Sequence, residues 1–112
     1  MNQILSKKER FFNQVKLTSN DEVYVGIDVH KINCHIAIRL NGAIALTYVT
    51  PSDNRALVRQ MQRLQPALRK IVYEAGPTGF SLVRTLRRAS LQVAVIAPSN
   101  KTGDSGAVEK VP

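Results

Sequence analysis

The chain has 112 residues, 44% of them hydrophobic, and 16 Lys and Arg against 8 Asp and Glu, for a net charge of +8. That length bounds it to one domain, the patterned apolar content excludes a disordered tail, and no apolar run approaches the ~20 residues of a membrane span. The basic excess, with a pI near 10.2, points to a polyanionic partner, nucleic acid before membrane. Cys34 is the single cysteine, so no internal disulfide can form, and with only two histidines no zinc cluster is built around it. The default compartment for such a chain is the cytoplasm. The N-terminal "MNQILSKKERFF" is basic but lacks the apolar stretch and cleavage site of a signal peptide.

Residues 1–20 read as a basic extension, either a short amphipathic helix or, in the favoured reading, a frayed leader. From residue 22 the pattern has period two. Val23, Val25, Ile27 and Val29 share one face of a first strand, with Tyr24, Gly26 and Asp28 on the other. Cys34, Ile36, Ile38 and Leu40 mark a second strand, "NG" at 41–42 a tight turn, and Ile44, Leu46 and Tyr48 a third strand. Three strands on short links imply an antiparallel meander. Ser52 or Asp53 caps a helix with the apolar stripe Leu57, Val58, Met61 and Leu64, and with Arg55, Arg59 and Arg63 opposite. "KIVYE", 70–74, is a fourth strand. A second helix runs from about Thr78 to Ala89, with Arg84, Arg87 and Arg88 outward, and "LQVAVIA", 91–97, is the fifth strand. The order β-β-β-α-β-α-β makes this an α/β protein with a ribonuclease-H-like mixed sheet, three antiparallel strands followed by two parallel ones. The domain spans 21–98, and 99–112 reads as a flexible tail.

Sites in open α/β sheets form beyond the carboxyl ends of strands. The first strand ends near Asp28 and the fourth at Glu74, so pairing of these strands makes the two carboxylates neighbours. Adjacent carboxylates repel unless one is protonated or a cation bridges them, and hard oxygen ligands suit Mg²⁺. Two such ions about 4 Å apart can activate water and stabilise the leaving oxygen of a phosphodiester. His30 and Lys31 follow Asp28 directly; Lys31 is placed to meet a phosphate and His30 to orient water or a phosphate oxygen. His35 reads as structural or solvated. Gly76 and Gly79 permit a close backbone approach after the fourth strand, and Thr78 is positioned to cap the next helix. The arginine rows, with Arg84, Arg87 and Arg88 foremost, are candidates to track a nucleic-acid backbone.

"VGIDVHK" and "YEAGPTGFSLVRTLRRASLQVAVIAPS" resemble the N-terminal domain of the DEDD transposases, the insertion-sequence one-hundred-and-ten family. In that domain the family is similar to Holliday-junction resolvases, and its members are viewed as RNA-guided recombinases. The resemblance covers about residues 23–99. It implies that Asp28 and Glu74 match the first two metal-binding, catalytic carboxylates, with Mg²⁺ as cofactor and DNA, a guide RNA and full-length transposase subunits as partners. The family continues after "APS" with a Lys-Thr-Asp…Asp-Ala motif. Here Lys101 and Thr102 precede Gly103, so Asp104 is out of step, and the serine-bearing domain is absent. The expectation is a truncated transposase, weak in Mg²⁺ binding, inactive alone, and with one sheet face uncovered.

Two other readings compete. A non-catalytic DNA- or RNA-binding module that modulates a full-length transposase would satisfy the charge. A fragment of an actin-like or sugar-kinase ATPase shares the element order, but Val29, His30 and Lys31 are bulky where such phosphate loops use small residues.

Overall fold

The computed structural model describes residues 6–74 and 80–96, together with the backbone of Glu109–Lys110. The elements are α1 (Lys7–Gln14), β1 (Val23–Val29), β2 (Asn33–Leu40), β3 (Ala43–Pro51), α2 (Asn54–Gln62), β4 (Leu68–Glu74), α3 (Ser81–Arg88), β5 (Val93–Ile96) and β6 (Glu109–Lys110). They form one mixed sheet in the order β3-β2-β1-β4-β5-β6. β1, β2 and β3 pair antiparallel, and β4 runs parallel to both β1 and β5. The α/β class, the meander and the two parallel returns agree with the sequence pattern.

One face of the sheet carries the core. Val23, Val25 and Ile27 from β1, Ile36 and Ile38 from β2, and Ile71 and Tyr73 from β4 are all buried beneath Leu57 and Met61 of α2 and Leu82, Val83 and Leu86 of α3. These are the period-two and helical-stripe positions, so the hydrophobic effect alone dictates which way each element turns. Asp53 caps α2 by accepting from the Ala56 N–H. At the other end of α3 the Leu91 N–H reaches the Leu86 carbonyl (3.2 Å) and the Ser90 N–H the Arg87 carbonyl (2.9 Å). This is a Schellman closure, and it places Ser90 at a positive φ of 65°. It also accounts for the late start of β5: Leu91 is buried as part of the helix end, not as strand. The Asn41–Gly42 turn forms as the sequence indicates, with φ of 51° and 92° at the two positions.

Two bulges alter the simple alternation. Between β2 and β3 the register slips so that Ile38 faces Leu46 while Arg39 faces Ile44, leaving Ala45 unpaired. Ile44 is thereby turned to the side of Arg39 and is 53% exposed. Between β1 and β4 the same device skips Arg69: Val23 faces Leu68 and Tyr24 faces Lys70. Leu68, whose parity would set it with Lys70, instead returns to the core. β4 is therefore longer at its start than the 70–74 strand suggested by pattern alone.

The reading of residues 1–20 as a frayed leader is corrected for its described part. α1 is held by a reciprocal capping box in which Ser6 Oγ accepts from the Glu9 N–H and the Glu9 carboxylate accepts from the Ser6 N–H. Those hydrogen bonds hold the Glu9 carboxyl below its ordinary range. Phe12 is buried against the core, edge-on to Tyr48 with ring centroids 6.2 Å apart. The Arg63 guanidinium lies over the Phe12 ring and donates to the Phe12 carbonyl at 3.0 Å. Helix α3 begins at Ser81, with Phe80 at its N-cap and no side-chain cap. Thr78, Gly76 and Gly79 lie outside the described residues, as does most of the expected flexible tail. Two residues of that tail, Glu109 and Lys110, pair antiparallel with Ile96 and Val95 of β5. No described helix is long and apolar enough to cross a membrane.

Candidate functional site

All three helices pack on the core side of the sheet, so among the described residues the opposite face has no covering element. Strand pairing lines up a row across this open face: Val49, His35, Asp28, Glu74 and Ile96, on β3, β2, β1, β4 and β5. Asp28 and Glu74 are register partners on adjacent parallel strands, which lie about 4.8 Å apart. Both sit at the carboxyl ends of their strands, and both are only partly buried. The sequence placed these two residues at one crevice, and the structure brings them together there. The bulge at Arg69 is what reconciles this register with a buried Leu68.

An open concavity of about 560 Å³ lies over the row, floored by Gly26, Ala37 and Val72 and bordered by Asp28, His35 and Glu74. Each floor residue stands between two core positions of its strand, Gly26 between Val25 and Ile27, Ala37 between Ile36 and Ile38, and Val72 between Ile71 and Tyr73, and so turns to the open face. His30 Nε2 stands 3.0 Å from Asp28 Oδ2, with side chains 54% and 48% exposed. The His30 and His35 rings are 4.6 Å apart between centroids. Sequence reasoning set His35 aside as structural or solvated. Counting back from the tight turn at 30–33, in which the His30 N–H donates to the Asn33 carbonyl, would have placed it opposite Asp28.

The remaining sequence candidates fall elsewhere. Lys31 is exposed and lines a small cleft at the same strand ends but on the helix side, with His30, Ser52, Asn54 and Ser81. Cys34 faces that side too, buried, with its thiol 3.4 Å from Ser52 Oγ; burial pushes the thiol pKa up, which keeps it protonated. Arg84, Arg87 and Arg88 project from α3, on the layer opposite the carboxylates. Arg87 is engaged locally, donating to the Val93 carbonyl at 2.8 Å.

The donor set suits a hard cation in type but not in number. Asp28 and Glu74 offer carboxylate oxygens, the ligands that Mg²⁺ prefers, and Mg²⁺ takes six. Among the described residues no group of three or more His, Cys, Asp and Glu side chains is arranged to hold a metal ion. The other positions would be filled by water, by phosphate oxygens or by residues beyond those described.

No family model matches the chain. Among curated proteins it is similar to "Putative transposase y4qE" of Sinorhizobium fredii, 32% identical over 91 residues. The match takes in 74% of this chain and 23% of that protein, so the chain spans about a quarter of the relative's length. Among solved structures it is similar to YeaZ from Pseudomonas aeruginosa at 20% identity and a TM-score of 0.47, over 70% of this chain and 44% of that one.

Proposed function

We propose that this chain is the carboxylate-bearing N-terminal part of a DEDD-type transposase with a ribonuclease-H-like sheet, serving DNA transposition through Mg²⁺-dependent phosphodiester chemistry. The observation that carries the reading is the register pairing of Asp28 with Glu74 on an open face at the carboxyl ends of parallel strands. The likeness to a protein named as a transposase supports it. In this reading Asp28 and Glu74 hold the metal, and the metal when bound supplies activation of water and neutralisation of charge on the phosphate. His30, in contact with one oxygen of Asp28, fixes the orientation of that carboxylate. The partly apolar floor lets a nucleic-acid backbone approach without competing polar groups. Two carboxylates alone make a weak Mg²⁺ site, so the chain is inactive by itself and depends on further acidic ligands.

A nicking assay on supercoiled DNA with Mg²⁺ tests this. No cleavage by the chain alone, combined with Mg²⁺-induced NMR shifts at Asp28 and Glu74 that vanish in Asp28→Ala, is the expected result. Robust nicking abolished by Asp28→Ala and Glu74→Ala would overturn the fragment reading and make the chain an active small nuclease. The second reading, a non-catalytic DNA- or RNA-binding module acting on a full-length transposase, is favoured by Arg55, Arg59 and Arg88 of the helical layer, which pair with no carboxylate among the described residues. Binding that survives both alanine substitutions, with no metal response, would select it.

A further inference from the structure

Six of the nine arginines fall into two groups. Arg63 is tied to the Phe12 carbonyl and ring, Arg69 donates to the Ser19 and Asp21 carbonyls, and Arg87 to the Val93 carbonyl. These three hold the fold together. Arg55 and Arg59 of α2 and Arg88 of α3 do not. They are exposed, and no carboxylate among the described residues pairs with them. They converge on one groove of about 370 Å³ between the two helices, floored by Val58, Thr85 and Ala89.

Arg55 and Arg59 are four residues apart on one helix, about 6 Å along its axis. Like charges at that spacing destabilise a helix unless an anion lies between them. A third guanidinium from the facing helix adds to the repulsion. The arrangement costs stability in the free protein and becomes favourable on a polyanion. Guanidinium groups hydrogen-bond phosphate bidentately, and the two Arg side chains of α2 are long enough to reach neighbouring phosphates of one strand. Among the described residues no aromatic side chain lines the groove, so they offer no platform for the bases of a single strand.

We propose that the groove between α2 and α3 docks the phosphate backbone of duplex DNA through Arg55, Arg59 and Arg88, as a surface separate from the carboxylate face. α2 and α3 cover the core side of the sheet, whereas Asp28 and Glu74 open on the other side. A duplex seated between the helices therefore does not present its phosphates to the carboxylates. The chain grips one DNA segment with its helical layer and leaves the open face for another. This goes beyond the metal chemistry proposed above and does not rest on it.

Fluorescence anisotropy of a short labelled duplex DNA, in EDTA and across a KCl series, tests the assignment. The triple variant Arg55→Gln, Arg59→Gln, Arg88→Gln is expected to bind on the order of tenfold more weakly at low salt. Its slope of log affinity against log salt should shrink by roughly 2–3, at ~0.9 per lost phosphate contact. The triple Lys variant should retain most of the slope. An unchanged affinity and slope in the triple Gln variant, with a thermal midpoint matching the parent's, would overturn the proposal. So would tighter binding to single-stranded DNA or duplex RNA than to duplex DNA. Because no metal is present, failure of the metal reading leaves this result untouched.

Discussion

The two faces of the sheet are made by the same strands and serve opposite ends. On the covered face Val23, Val25, Ile27, Ile36, Ile38, Ile71 and Tyr73 are almost wholly buried. On the open face, one residue away in each strand, stand Tyr24, Asp28, His35, Val49 and Glu74, all at least partly exposed. Parallel strands are normally buried on both sides, and here β4 and β5 are covered on one only by the described elements. The difference teaches where stability and chemistry reside. The covered face holds the fold through area removed from water. The open face holds polar groups in register at some cost, because Asp28 and Glu74 place like charges side by side.

Substitutions can sharpen or break this contrast. The largest effect is expected from Ile71→Ala, fully buried in the middle of β4, at about 4 kcal/mol of lost stability; Val49→Ala, 53% exposed, should change stability by less than about 0.5 kcal/mol. Urea unfolding measures both, and comparable losses would show that the open face is packed against something. Phe12→Ala comes next, at about 3 kcal/mol, because it removes the one buried side chain of α1 and leaves Arg63 without its ring. Hydrogen exchange should then lose protection across Lys7–Gln14 while β1 and β4 keep theirs. The smallest effect belongs to the open face. Glu74→Gln relieves the repulsion with Asp28 and is expected to stabilise the chain by about 0.3 kcal/mol in metal-free buffer. Mg²⁺ should raise the thermal midpoint of the parent and not of this variant. A loss of stability in metal-free Glu74→Gln would mean that the carboxylate is a structural partner and not a ligand.

The helical layer adds a second contrast, between arginines that act on the protein and arginines left over. Arg63 and Arg59 are spaced alike on the sequence, yet one closes α1 onto the body and the other faces an open groove. Nothing in their spacing separates them. What separates them is whether a carbonyl from a distant segment arrives within reach.

The sequence by itself determined the strands of the meander, the Asn41–Gly42 turn, the inward stripes of α2 and α3 and the side of the sheet on which Asp28 and Glu74 lie. Each follows from a local rule: period two in a strand, 3.6 in a helix, and the tolerance of Asn and Gly for positive φ. The bulges at Ala45 and Arg69 and the docking of α1 were decided by tertiary structure, as was the close approach of the His30 and His35 rings beside Asp28. A bulge is stable only against the strand it faces, and α1 stays put because Phe12 meets Tyr48 and Arg63, residues far along the chain. Spacing within a segment fixes which way a side chain points, but what it meets there depends on segments that only the folded chain brings alongside.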